Sequence, residues 1–150
     1  MSVAFEKDIE QQLRAVSPRA ELSRLEKLRA VLAAAEAGWS QRVIARLVGV
    51  EQPEISRLLK AARLRPGVRE RTPREVLLRH AVGELDHDRM MAELEGWEYT
   101  FGGPPADDLD ADAYVRGTWD QIERAGDLLS DADYQRLLEV TAERRAAGRR

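Results

Sequence analysis

The chain has 150 residues, a net charge of -3 and no cysteine, which excludes a disulfide framework, a thiolate metal site and a thiol nucleophile and suits a reducing compartment. No run of about 18 apolar residues is present to span a bilayer, and the opening MSVAFEKDIEQQ is too charged for a secretory core, so the expected location is cytoplasmic. The charge is unevenly divided. Residues 1–71 hold 14 Lys+Arg and 9 Asp+Glu, net +5, while residues 72–150 hold 10 and 18, net -8; such asymmetry suggests a half that faces nucleic acid and a half with another task. Arg outnumbers Lys 21 to 3 beside abundant Ala and Gly, which fits a GC-rich bacterial or phage genome.

Apolar residues at Phe5, Ile9, Leu13 and Val16 recur at helical spacing, so the opening predicts an amphipathic helix ending before Ser17-Pro18, an arm for packing or dimerisation. Ser17 suits an N-cap and Pro18 a first helical position, and Leu22, Leu25, Leu28, Leu32 and Ala35 form one stripe down to Gly38. A third helix is predicted after Ser40 and a fourth after Glu51, and Arg65-Pro66-Gly67 closes the basic half with a turn signal.

Between Ser40 and Arg65 the chain reads SQRVIARLVGVEQPEISRLLKAARLR. Ile44 and Val48 are expected to face inward from the first helix, with Ala45 small enough for a second helix to cross closely. Gly49 supplies a left-handed conformation without steric cost. Val50 plugs the corner, and Ile55, Leu58, Leu59 and Ala62 make the inward stripe of the second helix. This leaves Gln52, Ser56, Lys60 and Arg63 on the outer face, with Arg57 beside them.

The pattern resembles the helix-turn-helix of bacterial repressors and of resolvase-like DNA-binding domains, down to the Gln-Pro-x-Ile-Ser-Arg run at Gln52 to Arg57. The resemblance covers Ser40 to Arg65 alone. It implies a double-stranded DNA partner, with the second helix in the major groove. Gln52, Glu54, Ser56 and Arg57 would then read base edges, Arg57 pairing bidentately with guanine. Ser40, Gln41, Arg42, Arg46, Lys60, Arg63 and Arg65 would hold phosphates and set register. Glu54 is either a reader that accepts from a cytosine amino group or an exposed residue at the helix start. One such module offers too little contact for cellular specificity, so a homodimer on two half-sites is implied.

In the acidic half, Thr72-Pro73-Arg74-Glu75 has the form of a capping box, with Val76, Leu77, Ala81 and Val82 following. A further helix is predicted from Asp86 to about Glu95, with Met90, Met91 and Leu94 inward. Trp97, Tyr99 and Phe101 alternate with Glu98 and Thr100, which suits a short strand ended by Gly102-Gly103-Pro104-Pro105. These aromatics, with Trp119, are either partner-interface residues or the local core of a second domain. Residues 106–113 read as an acidic loop. Two helices close the chain, from Thr118 to about Ala125 with Trp119 and Ile122 inward, and from Ser130 to about Ala147 with Tyr134, Leu137, Leu138 and Thr141 inward. The end ERRAAGRR, Glu143 to Arg150, reads as a frayed basic tail.

Chemistry finds little purchase here. DDLDAD at Asp107 to Asp112 lacks the Gly and closing Glu of a calcium hand. His80 and His87, near Asp86 and Asp88, have no third soft ligand. Without GxSxG, a phosphate-binding glycine loop or a catalytic carboxylate pair, neither catalysis nor a metal or cofactor is expected.

The fold expected is mainly α: a helical arm over 1–17, a helix-turn-helix domain over 18–65, a linker over 66–71, and an acidic helical region over 72–150 with at most a short strand or hairpin. The function expected is a transcriptional regulator, most simply a repressor. Two alternatives share the charge pattern: an antitoxin that autorepresses its operon and binds a toxin through the acidic half, and a phage or plasmid factor that marks DNA for recombination or packaging.

Overall fold

The computed structural model describes residues 2–65, 67–103 and 117–148. The acidic run Asp107 to Asp112, Pro66 of the turn signal, and Arg149 and Arg150 lie outside the described residues. The protein is mainly α, with seven α-helices and no strand among the described residues. None of these helices is long and apolar enough to cross a membrane. Two compact units are present, one of residues 19–71 and one that joins the first 18 residues to residues 72–150.

The first helix differs from the sequence expectation. Instead of two helices parted at Ser17-Pro18, a single α1 spans Val3–Glu36 with Pro18 inside it. An interior proline removes one amide donor and crowds the carbonyl four residues back, that of Arg14. The helix survives because strong helix formers stand on both sides, because Glu10 and Arg14 pair at 2.8 Å one turn earlier, and because the Pro18 ring is buried. Ser17 is therefore an interior residue.

In the unit of residues 19–71, the turn after α1 closes at Gly38, whose φ of +88° lets its N–H reach Ala35 O at 3.1 Å and that of Trp39 reach Ala34 O at 3.0 Å. Helix α2 (Gln41–Val48) and helix α3 (Gln52–Arg63) follow. Val31, Ile44, Ala45, Ile55 and Leu59 form the core of this unit, with Leu32, Ala34, Ala35, Val50 and Leu58 packed against it. Val48 does not join them. It is the last residue of α2, where the chain turns away, and stays 38% exposed. Beyond α3, the Arg29 guanidinium donates to Val68 O and Glu70 O, both at 3.0 Å, and Arg69 pairs with Glu36. Residues 68–70, expected as part of a linker, are thus tied to α1.

The other unit packs helix α4 (Pro73–Ala81), helix α5 (His87–Glu95), helix α6 (Trp119–Glu123), a 3-10 turn at Gly126–Leu128 and helix α7 (Asp131–Gly148). Thr72 caps α4 by accepting from the Glu75 N–H, and Asp86 caps α5 by accepting from the Arg89 N–H at 2.8 Å. Val76, Leu77, Met90, Met91, Leu94, Trp119, Ile122 and Leu137 are buried together. Ala81 and Val82 are half buried, and Leu78 takes a fully inward place on α4.

The strand expected at Trp97 to Phe101 does not form. The groups it would offer to a neighbouring strand go elsewhere: the Thr100 N–H donates to Thr118 Oγ1 at 2.8 Å, Thr100 O accepts from the Trp119 N–H at 3.0 Å, and Arg144 donates to Trp97 O at 2.9 Å. Nor is Glu143 to Gly148 a frayed tail. It is the last part of α7, where Arg144 also donates to Glu95 O, and Arg145 donates to Leu138 O at 2.9 Å.

Candidate nucleic-acid interface

The geometry of Ser40 to Arg65 is set by local chemistry. Ser40 sits in extended conformation before α2 and its hydroxyl oxygen accepts from the Val43 N–H at 3.3 Å, the N-cap expected of serine. At the other end Gly49 has φ +84°, and both its N–H and that of Val50 donate to Ala45 O, at 2.9 and 3.0 Å. The chain then takes three residues, Gly49 to Glu51, to restart as α3. Pro53 is harmless in the first turn of α3, whose amides have no intrahelical partner. Glu51 stands at the N-cap without a side-chain cap bond, and its carboxylate is favoured there by the helix dipole.

Ile55, Leu59 and Ala62 of α3 are buried against the core. At about 100° per residue, the positions most nearly opposite them are Pro53, Arg57 and Lys60, all exposed. Gln52 and Arg63 lie nearer the edge of the buried stripe yet are exposed, whereas Ser56, roughly at right angles to the stripe, is half buried. Arg57 and Lys60, rather than Ser56, are the centre of the outer surface. On α2, Arg42 and Arg46 are one turn apart and exposed, facing away from buried Ile44 and Ala45. Gln41 is half buried, and Arg65 is exposed just past α3.

Glu54 stands in the first turn of α3 with its side chain 39% exposed. Its carboxylate is half buried and accepts from Lys27 Nζ at 3.0 Å, so it joins α3 to α1. A residue 27 positions away is invisible to local sequence patterns.

Residues 19–71 carry 12 Lys+Arg against 6 Asp+Glu, net +6. Two of the six carboxylates, Glu36 and Glu54, are engaged by Arg69 and Lys27. Among the described residues, Arg42, Arg46, Arg57, Lys60, Arg63 and Arg65 have no carboxylate partner and project into solvent. These six are the cations that the helix-turn-helix resemblance assigned to DNA, so α2 and α3 present uncompensated positive charge. Trp39, immediately before Ser40, is 51% exposed.

The aromatic candidates of the acidic half are placed differently. Trp119 is 2% exposed, and its ring meets Tyr99 edge-on at 4.9 Å with Arg145 over its face at 5.2 Å. Its indole N–H donates to Glu123 at 2.9 Å. Trp97, Tyr99 and Phe101 are half buried against the same core. The Tyr99 hydroxyl donates to Leu94 O at 2.6 Å, and burial pushes its phenol well above the usual range. Of the two roles weighed for these four residues, local core describes their surroundings: the segment turns inward because its backbone partners lie at the start of α6.

The histidines are likewise engaged within this unit. His80 Nδ1 meets Leu85 O at 2.9 Å, and His87 Nε2 meets Asp133 at 2.8 Å, joining α5 to α7. The hydrogen bond to Asp133, then its charge, holds the His87 imidazole above its ordinary value.

Compared with protein-family models, with curated proteins and with solved structures, the chain matches none.

Proposed function

We propose that this chain is a sequence-specific double-stranded DNA-binding regulator of transcription, a repressor, that enters the major groove with α3. The observation that supports the reading most is the set of six exposed arginines and lysine on and beside α2 and α3 that have no carboxylate partner among the described residues. Two nearby carboxylates, Glu54 and Glu36, are engaged by Lys27 and Arg69 rather than by these six cations.

In this mechanism Arg42, Arg46, Lys60, Arg63 and Arg65 take phosphates and fix orientation, with Ser40 and Gln41 at the mouth of α2. Gln52 and Arg57 reach base edges from the first turns of α3, and Arg57 offers the two parallel N–H donors that guanine O6 and N7 accept. Ser56, half buried, contributes from the flank. Glu54 is kept out of the groove by Lys27, which also removes a carboxylate that phosphate would repel. A symmetric dimer would place two α3 helices on two half-sites.

The test is titration of a mixed-sequence duplex over a range of salt. Binding should weaken linearly on logarithmic axes, and Arg42→Gln with Arg46→Gln should reduce the slope by about 2, roughly one per lost phosphate contact. Absence of binding at low salt, or binding indifferent to salt, would overturn the proposal.

A further inference from the structure

The first part of α1 carries an apolar stripe that the fold leaves uncovered. Phe5 is 51% exposed, Ile9 39%, Leu13 69% and Val16 59%. These residues fall within one sector of the helix, and the buried residues of the same stretch, Ala15 and Pro18, lie roughly 140° around it. The stripe therefore faces outward. Ala20, exposed, continues it by one more turn.

We propose that this stripe is covered by the same stripe of a second copy, the two α1 helices running antiparallel with Leu13 on Leu13 at the twofold axis. Three features select this occupant and this direction. In that register Ile9 meets Val16 of the other copy, and the bulkiest side chain of the stripe, Phe5, meets the smallest, Ala20. Asp8 lies on one flank of the stripe and Arg19 on the same flank, 11 residues on. Antiparallel pairing keeps this flank of both copies on one side of the seam and sets each Asp8 beside the other copy's Arg19, whereas parallel pairing puts the two flanks on opposite sides of the seam and leaves Asp8 and Arg19 without each other. The contact is isologous, as a closed dimer requires. At these exposures the four side chains offer roughly 400 Å² of open apolar surface per arm, so a pair removes about 800 Å² before flanking stems are counted, short of the roughly 1,200 Å² at which stable interfaces begin, which makes the dimer weak and concentration-dependent.

The pairing stands apart from DNA binding, and its test uses no DNA. The mass of the full chain in solution should approach twice 16.9 kDa as concentration rises, and Leu13→Asp should return it to one chain with helicity retained. Asp8→Arg and Arg19→Asp should each weaken the dimer at least threefold, and the two together should restore it. Because the chain lacks cysteine, single thiols report the register. Leu13→Cys should cross-link to itself through a short bismaleimide, and Phe5→Cys should cross-link to Ala20→Cys but not to itself. A monomer at all concentrations, a dimer indifferent to Leu13→Asp, or self-cross-linking of Phe5→Cys would each overturn the proposal. A chain that pairs in this way yet binds no DNA keeps this inference and loses the regulator.

Discussion

Replacing Gly49 tests how α2 hands over to α3. The residue has φ +84° and ψ 32°, and no heavy atom lies within 4 Å of the place a Cβ would occupy. A substitution there meets no clash, so its cost is the backbone's alone. Holding an ordinary residue in the left-handed region costs about 1 to 2 kcal/mol, of which the stiffer unfolded chain returns about 0.4 to 1 kcal/mol for alanine. Gly49→Ala should therefore destabilise the protein by about 1 kcal/mol. Gly49→Val should cost about 2 kcal/mol or more because branching at Cβ makes the conformation an outlier. Gly49→Asn should cost only a few tenths, about 0.5 kcal/mol, since asparagine visits this region routinely. Urea denaturation followed by circular dichroism gives the three midpoints, and DNA affinity should fall in the same order. Equal stability of the glycine and alanine forms, or an asparagine form as weak as the valine form, would refute the assignment of Gly49 as a conformational hinge.

Arg57→Ala should weaken specific binding by about 1 to 3 kcal/mol and relax one base position, while Lys60→Ala should weaken all sequences alike and reduce the salt slope by about 1; competition binding at fixed salt separates the two. Pro18→Ala should stabilise α1, by about 1 kcal/mol or more after the loss of the buried ring is set against the roughly 3 kcal/mol helix penalty of proline. A lower urea midpoint would mean that the packing of Pro18 outweighs its helix defect. The His87 contact with Asp133 should matter most in acid. Because the folded state holds His87 above its ordinary value of 6.5, the contribution is complete below that value and is lost as pH rises through the higher folded one. The melting temperature lost in His87→Ala should thus be larger at about pH 5.5 than at about pH 8.5, and small at both because the ring is 55% exposed; equal losses would assign the contact to packing.

What was legible in the sequence was what neighbours decide. Ser40, Thr72 and Asp86 announce helix starts because a cap is made within three residues, and Gly49 announces a stop because its conformation excludes most side chains. The buried stripe of α3 followed from its period. Pro18 misled because a local breaker was outweighed by helix formers on both sides and by its own burial. Trp97 to Phe101 misled because alternation says that a segment has two faces, not that another strand waits beside it. The ion pair of Lys27 with Glu54 and the hold of Arg29 on Val68 and Glu70 span 27 to 41 residues and belong to tertiary structure. For the candidate site, residue types were readable but their competition was not: Glu54 stood between a base reader and an exposed residue at the helix start because its partner on α1 could not be seen.

The regulator reading stands or falls on sequence preference. Selection of bound fragments from randomised duplex DNA by the full chain, at fixed salt, should enrich one motif of two inverted half-sites, spaced by about one helical turn of 10 to 10.5 base pairs or a multiple of it. Recovery of DNA with no enriched motif, or of none at all, would contradict the account.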